Sequence, residues 1–183
     1  MKKLTKTGLW VFWNYFSRNL QPKFKYIFSI FGIVCFMSAN AEEPKGVIGE
    51  VYINGFPVIY KFVNELPTKD IRATYPRLVV VSWKYDGSER NGMPEEDENK
   101  RMIQLEDALE VGVEAKGVCT HAYSRTGNNL KEFVYYIRDD DEFLKSLNSA
   151  LASHDRYPIE ITFYEDREWK DFKGLLSDFN KDD

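Results

Sequence analysis

LVVVSWKYDG, residues 78–87, crowds β-branched and aromatic residues into a short run and then stops at Asp86-Gly87. Such side chains suit a pleated, half-buried surface and Asp-Gly suits a turn, so Leu78 to Tyr85 reads as a strand. Downstream, Pro94 opens a stretch with Glu95, Glu96 and Asp97 in its first turn, where negative charge suits the positive end of a helix dipole. Met102, Leu105 and Leu109 recur at helical spacing, which predicts a helix to about Glu110, and Gly112 and Gly117 bracket its exit. Val118 to Arg125 and Glu132 to Arg138 are strand-like runs around Thr126-Gly127-Asn128-Asn129, whose Gly and Asn tolerate left-handed backbone, so a hairpin follows. Asp139 or Asp140 can cap a second helix, in which Phe143, Leu144, Leu147, Ala150 and Leu151 keep helical spacing as far as His154. Pro158 to Glu165 alternates as a strand, and Trp169, Phe172, Leu176 and Phe179 mark a last amphipathic helix. Upstream, Asn54-Gly55 between Glu50–Ile53 and Phe56–Val63 is a strong hairpin signal, because both turn positions need positive φ. From Leu78 the order is strand, helix, strand, strand, helix, strand. That predicts an α+β ferredoxin-like plait (βαββαβ, antiparallel sheet with helices on one face), preceded by an N-terminal β-hairpin and followed by a C-terminal helix.

Alternation assigns the two faces of the sheet. Val79, Val81 and Trp83, with Phe133, Tyr135 and Ile137, and with Ile159, Ile161 and Phe163, form three matching apolar rows that should meet the helices. The reverse face then carries Ser82, Lys84, Glu132, Tyr136, Arg138, Glu160, Thr162 and Tyr164, with Leu78 and Val134 among them. Antiparallel sheets often leave one face to water, so a solvated surface partly covered by the N-terminal hairpin is expected. Within it Lys84, Tyr136, Arg138 and Tyr164 are the candidate partner-binding residues, since aromatics and Arg are the usual interface anchors.

The N-terminal region reads as an address. Tyr26 to Met37 (YIFSIFGIVCFM) is an uncharged, mainly apolar run of 12 residues, with Lys23 and Lys25 before it and Ser38-Ala39-Asn40-Ala41 after it. Basic flank, short apolar core and small-x-small site predict a secretory signal over residues 1–41, cleaved after Ala41, and a periplasmic or secreted location. A membrane span needs about 20 apolar residues. The alternative is an inner-membrane anchor formed by residues 26–37, and the membrane is a partner only if that segment stays uncleaved. Residues 42–183 then form a single domain with no repeat or long linker inside it.

Charge and composition narrow the chemistry. Residues 1–41 carry six bases and no acid, which leaves 19 bases against 29 acids, a net −10, for residues 42–183. Phosphate binding needs clustered Lys and Arg, so nucleic acid is excluded as a partner. Two cysteines, Cys35 and Cys119, cannot make a disulfide framework, and two histidines cannot make an all-histidine metal cage. Neither a metal nor a cofactor is expected. Cys119, alone after cleavage, reads as a buried small hydrophobe. His121, Tyr123 and Arg125 should share one face of a strand, and His121 beside Glu132 across the hairpin is the one candidate general base. Asp139-Asp140-Asp141-Glu142 lacks the ligand spacing and turn glycine of a calcium loop, and a dipole-matched helix start explains it. No nucleophile with an adjacent base is visible, so no catalytic set is assigned.

Four segments in order, YPRLVVVSWKYDG (75–87), NGMPEEDENKRMIQLEDALE (91–110), RTGNNLKEFVYYIRD (125–139) and YPIEITFYEDREWKDFKGLL (157–176), resemble the bacterial domain of unknown function 695. The resemblance spans about residues 47–176. That family is similar in turn to the B-type protein regulator of ribonuclease E, a small non-catalytic inhibitor with a ferredoxin-like plait. The resemblance implies the fold and a binding role, and it supplies no catalytic residue. The regulator works in the cytoplasm whereas this chain reads as exported, so its target is not transferred. Two functions are therefore expected in competition: an exported, non-enzymatic protein-binding or regulatory module, and, as the alternative, a small hydrolase or ligand-binding enzyme using His121 near the open sheet face.

Overall fold

The computed structural model describes residues 46–180. The signal segment, its cleavage site after Ala41 and the alternative anchor at 26–37 lie outside the described residues. The described part is α+β: six strands in one antiparallel sheet and four helices. The strands are β1 (Gly46–Ile53), β2 (Phe56–Val63), β3 (Arg77–Lys84), β4 (Cys119–Gly127), β5 (Leu130–Ile137) and β6 (Ile159–Glu165). The helices are α1 (Lys69–Thr74), α2 (Glu96–Leu109), α3 (Asp140–Ala150) and α4 (Lys170–Phe179). The sheet order is β1-β2-β4-β5-β3-β6.

Local chemistry explains most of these boundaries. Asn54 and Gly55 take φ of 52° and 84°, and Asn128 and Asn129 take 50° and 62°, so both hairpins close through left-handed turns matched to strand twist. Asp139 caps α3, its side chain accepting a hydrogen bond from the Glu142 backbone N–H at 2.9 Å. The helix predicted to end near Glu110 does end at Leu109, and the chain then widens into one π turn, Glu110–Glu114, which seats Val113 in the core. The short helix α1, capped by Thr68, is an element that the apolar periodicity does not signal.

Two cores lie on opposite faces of the sheet. On the helix side, the three predicted rows meet α2 and α3, with Trp83, Phe133, Tyr135, Met102, Leu105, Leu109, Phe143 and Leu147 in one cluster. The reverse side holds a second cluster of Phe62, Leu78, Ala122, Val134, Tyr136, Trp169 and Phe172, and Phe179 packs against it. This corrects the expectation of a solvated reverse face. The N-terminal hairpin does not lie across that face; β2 pairs with β4 and widens the sheet, while α4 supplies the cover. Gly49 of β1 makes room for the cover, because a Cβ there would collide with the Phe179 ring.

Candidate functional site

The four residues predicted to meet a partner do not form one surface. Tyr136 is 0% exposed, its ring stacked on Trp169 at 3.6 Å between centroids. Its hydroxyl donates to Asp166 Oδ2 at 2.7 Å, and Asp166 in turn accepts from the backbone N–H groups of Lys170 and Asp171 at the start of α4. Tyr136 is therefore part of the lock that holds α4 down. Trp169 sits just before α4 rather than inside it, at φ 56°, a conformation unfavourable for a bulky residue. Its indole N–H donates to the Tyr75 carbonyl at 3.0 Å, and the buried ring and this bond together hold the turn. Tyr164, 50% exposed, shares the Leu78 end of β3 with Tyr136, since both pair with Leu78. Lys84 lies six residues along β3, roughly 20 Å away at strand rise, and is paired with Glu160 at 3.0 Å. Arg138, beyond the end of β5, makes a forked pair with Glu142.

The second predicted constellation is also redrawn. His121 pairs with Tyr135 but Tyr123 pairs with Val134, so Ala122 is an extra residue in β4, a β-bulge. One added residue flips every side chain beyond it to the other face. His121 accordingly faces the helix side, edge-on to Tyr135 at 5.2 Å, while Tyr123 and Arg125 face the reverse side. Glu132 accepts from Arg125 Nε and from Ser82 Oγ, so the carboxylate expected beside His121 serves Arg125.

What surrounds His121 is a charged cluster drawn from four elements. Glu106 of α2 pairs with Lys61 of β2 at 3.0 Å and with Lys131 of β5 at 3.6 Å. Lys131 is 8% exposed and its amine lies 4.6 Å above the Phe133 ring. Burial pushes the Lys131 amine below its ordinary value, with Glu106 opposing. Burial would raise Glu106, but Lys131 and Lys61 outweigh it and hold the carboxyl low. Burial lowers His121 to about 4 against the pull of Glu106, with Lys61 and Lys131 adding to the drop. Its backbone N–H donates to Glu114 Oε1 at 2.9 Å, and burial raises that carboxyl. The imidazole is thus neutral at physiological pH. The buried Cys119 thiol is pushed well up by burial, which keeps it un-ionised and inert. Every buried side-chain nitrogen and oxygen among the described residues has a hydrogen-bond partner. A separate open cavity of about 410 Å³ is lined by Arg101, Gln104, Ser153, His154, Asp155 and Tyr157. There His154 Nδ1 bonds the Tyr157 hydroxyl at 2.9 Å and Arg101 lies over the Trp83 ring, so its cation is already used in packing.

Among the described residues, Val111, Tyr164, Ile71 and Ile103 are exposed large apolar side chains on separate elements, and two more, Ile48 and Tyr52, share one strand of the β1–β2 hairpin. Val47, Gly49 and Val51 share the face of Phe62, Tyr60 and Val58, which α4 backs. The opposite face carries Ile48, Glu50 and Tyr52 of β1 beside Lys61, Ile59 and Pro57 of β2. There Lys61 pairs with Glu106 of α2, while Ile48 is 55% and Tyr52 60% exposed. Glu50 sits between them, and its hydrogen bond to the Tyr52 hydroxyl raises that phenol. Sequence reasoning passed over these residues, although the alternating Ile48-x-Glu50-x-Tyr52 beside an Asn-Gly turn was visible.

No curated protein and no solved structure matches the chain. Among the described residues there is no cluster of three or more metal-ligating side chains and no helix long and apolar enough to cross a membrane. Residues 50–177, most of the described fold, match DUF695, a family of unknown function, and the chain belongs to that family.

Proposed function

We propose that this protein is an exported, non-enzymatic module that binds another protein. The observation that carries the reading is the pair Ile48 and Tyr52, large apolar side chains more than half exposed on a strand at the edge of the sheet. Edge strands are usually blunted by charge or covered, and an exposed apolar one reads as a docking surface. Export is supported by the basic flank, apolar run and Ser38-Ala39-Asn40-Ala41 site. The order β4-β5-β3-β6, with α2 and α3 in the two crossovers, supports reading this part as a ferredoxin-like plait. The likeness to the ribonuclease E regulator contributes only the class of function, a binder without catalysis. The test is affinity capture from an envelope fraction with the full chain, beside a double variant Ile48→Asp, Tyr52→Asp. A partner held by the native surface and lost with the variant is the expected result; capture indifferent to the variant would refute it. N-terminal sequencing of exported protein should begin at Glu42.

A second reading, a small hydrolase or ligand-binding enzyme using His121, has one observation in its favour: the partly buried Lys131–Glu106–His121 grouping, of the type that perturbed active sites show. Screening ester and amide substrates with native protein and His121→Gln separates it, since turnover abolished by that change would establish the enzyme.

A further inference from the structure

The outer edge of β1 is the start of the sheet order, with no strand beyond it among the described residues. On that side its backbone N–H and C=O groups have no strand partner among the described residues, and α4 backs the opposite face through Phe179 at Gly49. On the uncovered face an incoming strand would meet Ile48, Glu50 and Tyr52 in that order. We propose that this edge accepts an extended segment of another protein as a seventh strand, with side chains on that face reading apolar, basic, apolar. The proposal rests on the protein-binding reading above and names the partner's chemistry.

The pattern follows from pairing. Directly opposed side chains on one face of a sheet lie about 5 Å apart, where opposite charges attract and like charges repel. An aliphatic or aromatic residue belongs opposite Ile48 and Tyr52, and Lys or Arg opposite Glu50. Because the pattern is palindromic, it holds for parallel or antiparallel addition. The same pairing argues against a second copy of this chain. An antiparallel match that sets Ile48 against Tyr52 also sets Glu50 against Glu50, two like charges directly opposed. The net −10 of residues 42–183 adds long-range attraction for a basic segment. At the other edge of the sheet, β6 is guarded: Glu160 and Glu165 there are engaged by Lys84 and Arg77.

The test is a display selection of random 11-residue peptides on the full-length protein. We expect enrichment of peptides with apolar-x-basic-x-apolar spacing, whose binding protects the amides of residues 46–53 from hydrogen exchange. Glu50→Lys should weaken a selected peptide at least tenfold, and replacing the peptide's basic residue by Glu should restore binding to that variant. Glu50→Gln, which keeps the side chain's size, should weaken it less and serves if the charge reversal perturbs folding. Absence of enrichment, or binders insensitive to residue 50, overturns the inference. Binders that protect another surface also overturn it yet leave the protein-binding reading standing, whereas capture indifferent to Ile48 and Tyr52 removes both.

Discussion

The two faces of this sheet are covered to different depths. The helix side is covered by two helices, α2 and α3, through a broad layer of Met, Leu and Phe side chains, to which Glu98 and Glu106 add bonds with Trp83 and Lys131. The reverse side is covered by one ten-residue helix held by directed polar bonds: Tyr136 to Asp166, Asp166 to the start of α4, Tyr123 to Asp171 at 2.9 Å, and Trp169 to the Tyr75 carbonyl. A broad apolar layer tolerates local slack, whereas a thin one relies on a few anchors whose loss is felt throughout. The comparison explains why Tyr136, which reads as an interface anchor in the sequence, is structural: a phenol joins an apolar ring to a hydrogen bond, which serves a thin cover as well as it serves a partner.

The change that would break this contrast most directly is Trp169→Ala. Removing a fully buried Trp costs about 3–5 kcal/mol, and the loss of the indole bond should free α4, so urea unfolding should show that drop together with faster proteolysis after Glu165. A drop under about 1 kcal/mol would make the reverse layer a decoration rather than a core.

On the helix side the largest effect should depend on pH. His121 is lowered by burial from 6.5 to about 4, so the unfolded chain takes up the proton first and acid favours unfolding. The stabilising contribution is complete above about pH 6.5 and is lost as pH falls toward 4, a step on the order of 3 kcal/mol. Glu106, held low by its lysines against burial, extends the loss at lower pH, while Glu114, raised by burial, acts in the opposite direction and is lost as pH rises. Stability profiles of native protein and His121→Gln should diverge across that window, and parallel profiles would deny the assignment.

Smaller steps sharpen the contrast. Tyr136→Phe keeps the stacking on Trp169 and removes the hydroxyl's bond to Asp166 together with the one it accepts from the Phe172 backbone N–H at 3.4 Å, so about 1–2 kcal/mol should be lost. Paired with Asp166→Asn in a double-mutant cycle, it should show coupling. Cys119→Ala, a small deletion in the broad apolar layer, should cost about 1 kcal/mol and change no binding, as read from denaturation and peptide affinity. Least of all, Lys84→Ala should shift stability by less than about 0.5 kcal/mol, because its pair with Glu160 is exposed.

Much of the fold was legible because its signals are local. Asn54-Gly55 sets a hairpin wherever that hairpin docks, and the alternation of Val79, Val81 and Trp83 marks a face whatever covers it. The candidate site was less legible. His121 and Glu132 were placed together by counting twos along β4, and the count fails at Ala122, since a bulge is a property of two strands in register and not of one. The burial of Tyr136 is not legible in the sequence, because alternation names the faces of a sheet without naming their covers.

All six strands, the three longer helices, the two hairpin turns and the two alternating sets of side chains are written locally, because these follow from backbone sterics and a period of two or of 3.6 residues. That β2 docks beside β4, that α4 crosses to the reverse face, and that Trp169 occupies a left-handed turn depend on contacts between distant segments. The physical reason is that an amphipathic element encodes the need to bury a face but not which surface meets it. That choice is made by shape and by hydrogen bonds between residues far apart in the chain, of which the Tyr136–Asp166–α4 chain and the Trp169–Tyr75 bond are the ones that place the cover.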